Sequence, residues 1–318
     1  MDIELREAVP ADARVAADVL TAVDPERPTD PVVLRHEWDG GWSNWVTRRW
    51  LALARGAPVG YAELARPRWE LVADRLASFR GDLLPDQRSE ASLGTLLAEM
   101  ERMAAADGAR FLRARANEGD DIRIRAILAR GYREDRRGKR WLLDLVAERE
   151  RVVDMARASR ERMRAEGVRL FTLDRDADPD RYVKVWRLSE EAAHDIPSSF
   201  GHVDESLEDF MRWLRSPDLR EDHFWIARAG DAIVGCSVLA YPPERGIVTT
   251  EWTATLRSVR GRGIARALKC ETLAQAIALG VDRVRTGNDA ANAPILHINE
   301  TMGYRPWVGA IDFTRSLG

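Results

Sequence analysis

The sequence predicts an α/β protein made of two copies of one domain in tandem, and two observations predict it. One is an ordered strand, glycine loop and helix between residues 249 and 279. The other is a repetition of landmarks at a constant offset of 172 positions: Arg88 and Arg260, Gly108 and Gly280, Gly131-Tyr132-Arg133 and Gly303-Tyr304-Arg305. So long a period describes a duplicated domain, not a solenoid. The length of 318 residues agrees, because single domains run to roughly 100–200 residues.

Along the first copy, Trp38, Trp42, Trp45 and Trp50 are spaced four, three and five apart, which suggests part of a helical face. Those rings suit either core and interdomain packing or an aromatic pocket. Arg55-Gly56-Ala57-Pro58-Val59-Gly60 reads as a hairpin. Leu93, Leu96 and Met100 mark the first copy's counterpart of the helix that carries Ala265, Leu268 and Thr272. The charged stretch from Glu148 to Gly167, with Met155 and Met163 and little glycine or proline, predicts a helical connection into a strand at 169–173. The expected division is therefore 1–150, a linker at 151–168, and 169–318.

In the second copy, Pro197 ends a helix whose last residues include His194 and Asp195. Ala229-Gly230-Asp231-Ala232-Ile233-Val234-Gly235 repeats the hairpin. The β-branched run from Thr249 to Leu256 reads as a strand, and Ile264, Ala265, Leu268, Thr272, Ala276 and Leu279 form one face at 100° per residue. Between them, Arg260-Gly261-Arg262-Gly263 places two glycines, unpaired N–H groups and arginines at a helix start, which suits a pyrophosphate. A dinucleotide-binding fold also uses a glycine loop. Its full fingerprint is absent here, because Arg266 stands where the third glycine would fall and no acidic residue ends a second strand at the expected place.

The pattern Arg260-x-x-Gly263-x-Ala265 resembles the acyl-CoA loop of the GNAT superfamily of N-acetyltransferases. The resemblance extends to Arg283-Val284-Arg285-Thr286-Gly287-Asn288 as that family's fifth strand, to Asn292 as its recurrent cofactor-side asparagine, and to Met302-Gly303-Tyr304 as its closing turn. It implies two GNAT-like domains, each with a mixed, mostly antiparallel sheet whose two parallel strands splay apart. It also implies acetyl-CoA as cosubstrate and direct attack by an amine. The cofactor contacts implied are the backbone of Thr255, Leu256 and Arg257, and the loop residues Arg260, Gly261, Arg262, Gly263, Ile264, Ala265 and Arg266, with Asn292.

Chemistry then needs a base and an acid. Glu251 is the candidate base, on the strand that lines the cleft, with Thr253 and Thr255 on its face by alternation; a solvated strand residue is the other reading. The family commonly places a tyrosine acid four residues before the glycine of the closing turn. Here that position is Asn299, which can only hydrogen-bond the leaving thiolate or the cofactor, leaving the proton to water or Tyr304. Tyr304 itself reads foremost as a core residue. In domains of that family substrate choice normally falls to the first helices and their loop, so the resemblance implies the region of His194 and Asp195 here, where Glu191 and Asp195 would suit a cationic amine or simply be solvated charges at a helix end.

The two copies are not chemically equal. Arg88-Ser89-Glu90-Ala91-Ser92-Leu93 replaces Arg-Gly-Arg-Gly-Ile-Ala, so both glycines are lost and Glu90 would repel a phosphate. The first copy is expected to be degenerate, packing on the competent one and shaping its entrance. The expectation is an N-acetyltransferase for a small-molecule amine; a non-catalytic acyl-CoA-binding regulator or scaffold is the alternative. A net charge of −3 with 32% charged and 45% hydrophobic residues gives no reason to invoke nucleic acid. No long apolar run or leader pattern suggests a membrane. The histidines show no metal-ligand spacing, so no metal is expected. Cys236 and Cys270, two cysteines without a framework, suit a reducing, cytoplasmic setting.

Overall fold

The computed structural model describes residues 3–317. The first half runs β1 (Glu4–Glu7), α1 (Ala13–Val23), α2 (Pro31–Gly40), β2 (Trp45–Ala54), β3 (Ala57–Pro67), β4 (Leu76–Leu83), α3 (Glu90–Ala106), β5 (Phe111–Asn117), α4 (Asp121–Leu128) and β6 (Arg133–Asp144). Helix α5 (Arg149–Ala165) connects it to β7 (Val168–Thr172), α6 (Arg181–Ala193), α7 (Leu207–Leu214), β8 (Phe224–Ala229) and β9 (Ala232–Ala240). The chain then continues through β10 (Val248–Thr255), α8 (Ile264–Ala278), β11 (Arg283–Asp289), α9 (Ala293–Thr301) and β12 (Arg305–Ser316).

The repeat is visible in these bounds. β4 and β10, β5 and β11, and β6 and β12 begin and end 172 positions apart. All twelve described strands form one sheet in the order β1-β2-β3-β4-β5-β12-β6-β11-β10-β9-β8-β7. The sixth strands are exchanged. β12 pairs with β5, from Ala310 opposite Asn117 to Ser316 opposite Phe111, and β6 pairs with β11, from Arg283 opposite Asp144 to Asp289 opposite Gly138. A cut near residue 150 thus divides the chain but not the sheet, because each half completes the other's hydrogen-bond ladder.

The sheet is mostly antiparallel. β4–β5 and β10–β11 are its parallel pairs, each crossing over through a helix on one face. The hairpins predicted at Gly56 and Gly230 join β2 to β3 and β8 to β9. α8 departs from its predicted single apolar face, since Lys269, Glu271 and Thr272 are buried along with Leu268, Cys270 and Leu273. The cause is α5, whose Val152 and Ala156 join one core cluster with α8 while Met163 joins another; Arg160 forks onto the buried Glu271 at 2.7 and 2.8 Å. The tryptophan spacing is not a helical face. Trp38 lies on α2, stacked on Tyr61 at 5.9 Å, whereas Trp45 and Trp50 lie on β2. Gly41, at φ +59°, ends the helix between them, in a conformation that side-chain-bearing residues rarely adopt.

Candidate acyl-CoA site

β10 and β11 form a V. They pair only at Val248–Val284 and Thr249–Arg285 and then separate. β10 also carries a bulge against β9 between Thr250 and Trp252, so Glu251 opposes no residue and the strand bends away. The bulge corrects the alternation argument. Thr253 Oγ1 meets Ser237 at 2.8 Å on the face covered by α8, while Glu251 lines a cavity between the two halves together with Glu37, Asp218 and Arg285. Surrounding protein desolvates Glu251 although the cavity is open, and Asp218 adds repulsion; both raise its pKa above the ordinary carboxylate range, with Trp213 and Arg285 opposing.

The mouth of the V is the glycine loop. Gly261 and Gly263 sit at φ +77° and +84°, and Gly263 precedes α8 with no side chain capping the helix. The first N–H groups of α8 therefore stay available to an anion. Arg162 of α5 adds a guanidinium that the sequence reading missed, within 3.4 Å of where a Cβ on Gly263 would lie. Arg262 pairs with Glu166 at 3.2 Å, and Arg266 lies part-buried against Met155. Ile264 is fully buried as the loop's apolar anchor, and Ala265 is half-buried beside it.

The strand segment offers fewer free groups than expected. Leu256 N–H donates to Val234 O at 3.1 Å and Arg257 N–H to Glu191 Oε1 at 2.7 Å. Backbone alternation leaves Thr253 and Thr255 facing the open edge, where Arg260 approaches Thr255 O at 3.4 Å. Asp195 is likewise engaged: Arg257 and Arg260 both pair with it, at 2.5 and 2.7 Å, holding its carboxyl far below the usual range. It anchors the loop instead of awaiting an amine. Asn292 starts α9 without capping it.

Under the vertex lies a buried polar floor. Asn299 is fully buried, with Nδ2 donating to Asn288 Oδ1 at 2.8 Å. Its Oδ1 has no hydrogen-bond partner among the described residues, the Tyr304 hydroxyl lies against Thr250, and Tyr304 is otherwise the core residue expected. Lys269, which nothing in the sequence pattern singled out, lies over the Tyr304 ring at 5.3 Å and reaches Thr250 Oγ1 at 3.4 Å. Burial pushes its pKa down to about 8. Since the unfolded value is about 10.5, the unfolded chain holds this proton more tightly, and stability should rise as pH climbs from about 8 to 10.5. Lys269→Met is expected to stabilise the protein at pH 7 by on the order of 3 kcal/mol and to flatten that rise. Denaturant melts of both proteins at pH 7 and pH 10 check it, and parallel pH profiles would contradict it.

His194 meets Asp204 at 3.0 Å. The fold brings Glu190 and His194, one turn apart on α6 and its cap, against His202 and Asp204, with donor atoms within 4.8 Å of one another. This is metal-ligand spacing that the linear sequence did not reveal, because half of it lies on the following loop. His194, His202 and Asp204 are exposed.

The V of the first half is built differently. β4 and β5 stay paired over four positions, to Phe79–Ala114, and β4 shows no bulge against β3. Phe79 occupies the position equivalent to Glu251. Arg123 of α4 reaches between the strands, donating to Gly81 O at 2.8 Å, Asp82 Oδ1 at 2.7 Å and Arg115 O at 2.6 Å. At the mouth, Arg88 pairs with Asp120, the counterpart of Asn292. Ser89 and Ser92 close a capping box over the start of α3, and Glu90 pairs with Arg125 at 3.1 Å.

Residues 184–304 match the family model described as acetyltransferase (GNAT) family. No curated protein matches the chain significantly. Among solved structures, a tandem GNAT protein from the clavulanic acid biosynthesis pathway superposes over 100% of this chain and 99% of its own, with a TM-score of 0.76 at 18% identity. A GCN5-related N-acetyltransferase from Sphaerobacter thermophilus covers 99% of this chain and 95% of its own, at a TM-score of 0.70 and 19% identity. A putative acetyltransferase from Pyrococcus horikoshii covers 99% and 90%, at 0.55 and 12%.

Proposed function

We propose that this chain, which carries a GNAT-family domain at residues 184–304 within a tandem GNAT fold, transfers an acetyl group from acetyl-CoA to the amine of a small molecule, using only its second half. The observation that carries the proposal is the contrast between the two Vs. One has an uncapped glycine loop at its mouth and a carboxylate at its bulge. The other is filled by Arg123, bridged by Arg88–Asp120 and capped by Ser89 and Ser92.

Each group in the second half has a task it fits. Gly261, Gly263 and the first turn of α8 offer N–H groups to the pyrophosphate, with Arg262, Arg266 and Arg162 adding charge. The edge of β10 at Thr253 and Thr255 aligns the pantetheine arm and offers backbone donors to the thioester carbonyl. Glu251, its pKa raised, takes the ammonium proton directly or through water as the nitrogen attacks. A C–N bond forms, the C–S bond breaks, and the departing thiolate takes a proton from water or from the polar floor of Lys269 and Tyr304. Asn299 supports that floor through Asn288, in place of the acid role the resemblance implies for a tyrosine. The first half completes the sheet and closes the acceptor cavity, while α5 packs on α8.

The test is turnover with acetyl-CoA and a panel of primary amines, following free thiol together with N-acetylated product. Stoichiometric appearance of both supports the proposal. Tight acetyl-CoA binding without thiol release for any amine would favour the regulator reading.

A further inference from the structure

The cavity that receives Glu251 has a volume of about 690 Å³ and is lined by both halves. That is within the usual range for small-molecule sites. Many of its lining charges are paired within the protein, as in Asp24–Arg27, Arg80–Asp82 and Arg115–Asp312, and the groups outside any ion pair among the described residues include Arg113 as well as three carboxylates and two further arginines. Glu37, Asp218 and Glu251 face it from α2, from the loop after α7 and from the bulge of β10, and none forms a salt bridge among the described residues. Burial and mutual repulsion push Glu37 up to about 7. Arg140 and Arg285 face the same cavity from the adjacent strands β6 and β11; neither forms a salt bridge among the described residues, although Asp24 attracts both and Glu251 attracts Arg285. Arg140 donates to Asn117 Oδ1 at 2.9 Å and Arg285 to Thr249 Oγ1. Burial, with Arg27 and Arg115 nearby, lowers Arg140 to about 10, and burial lowers Arg285.

We infer that the acceptor is a zwitterion, an amine that also bears a carboxylate, with its ammonium toward Glu37, Asp218 and Glu251 and its carboxylate toward Arg140 and Arg285. The inference rests on the acyl-transfer reading and adds the substrate class. Crowded carboxylates and unpaired guanidiniums are each costly to desolvate alone. A simple amine would relieve only the first set and a simple acid only the second, whereas a polyamine would meet repulsion from the arginines. A planar guanidinium is also the side chain best matched to a carboxylate.

The experiment compares each of the twenty standard amino acids with its carboxamide, in acetyl-CoA turnover and in calorimetric binding without acetyl-CoA. At least one amino acid is expected to exceed its carboxamide by ten-fold or more in kcat/KM and in affinity. Arg140→Met and Arg285→Met should reduce that ratio toward one, with unchanged acetyl-CoA affinity showing that each variant folds. Equal use of amino acid and carboxamide would overturn the zwitterion site while leaving acyl transfer standing. Preferential binding of the amino acid with no acetylation of any compound would leave the site standing and overturn acyl transfer. No amino acid bound in preference to its carboxamide, with or without turnover, also overturns the inference.

Discussion

Gly263→Glu should abolish acetyl-CoA binding, with the loss expected to exceed two orders of magnitude in Kd by calorimetric titration. Three effects act together. The residue sits at φ +84°, where any Cβ is strained by about 1–2 kcal/mol. The new carboxylate lies at the entrance to α8, where a phosphate would gather the free N–H groups, and like charges at that distance repel. It would also draw Arg162, whose guanidinium stands within 3.4 Å of the Cβ position, away from the ligand. Gly263→Ala separates the terms, since it carries the backbone strain without the charge and should weaken binding far less. Unchanged affinity in the glutamate variant would mean that the loop does not hold the cofactor.

Glu251→Gln should lower the chemical step by roughly 10²–10⁴ while leaving acetyl-CoA affinity nearly unchanged. The amide keeps the shape of the bulge but cannot accept a proton. Because the Glu251 pKa is raised, wild-type kcat/KM should fall on the acid side with an apparent pKa above the ordinary carboxylate range, and the variant should lose that limb. Asn299→Ala should have a smaller effect on turnover, because Asn299 is fully buried and its side-chain donor is spent on Asn288. Full turnover by Glu251→Gln across the pH range would move the base role elsewhere in the cavity.

Much of the fold was legible because a duplication writes its own alignment. Residues spaced 172 apart fixed which strands correspond, and the glycine loop stood out because two left-handed positions before a helix need glycine. The exchange of β6 and β12 left no such mark, since a strand looks the same whichever sheet it completes. The bulge at Glu251 was hidden for a related reason: one inserted residue reverses alternation without changing composition. The roles of Arg123, Arg162, Arg140 and Lys269 depend on what lies opposite them, and arginines and lysines in a chain this charged read as surface until the partner element is placed. Asp195 was found as a residue of the site, but not as the anchor of Arg257 and Arg260.

The central claim is that one half is open to acetyl-CoA and the other closed by its own side chains. Calorimetric titration of the full chain with acetyl-CoA tests it most directly. The stoichiometry should be one per chain, and it should fall to zero in Gly263→Glu. A ratio of two would show that the V holding Arg123 accepts the cofactor after all, and one site that survives Gly263→Glu would show that the glycine loop is not what holds it.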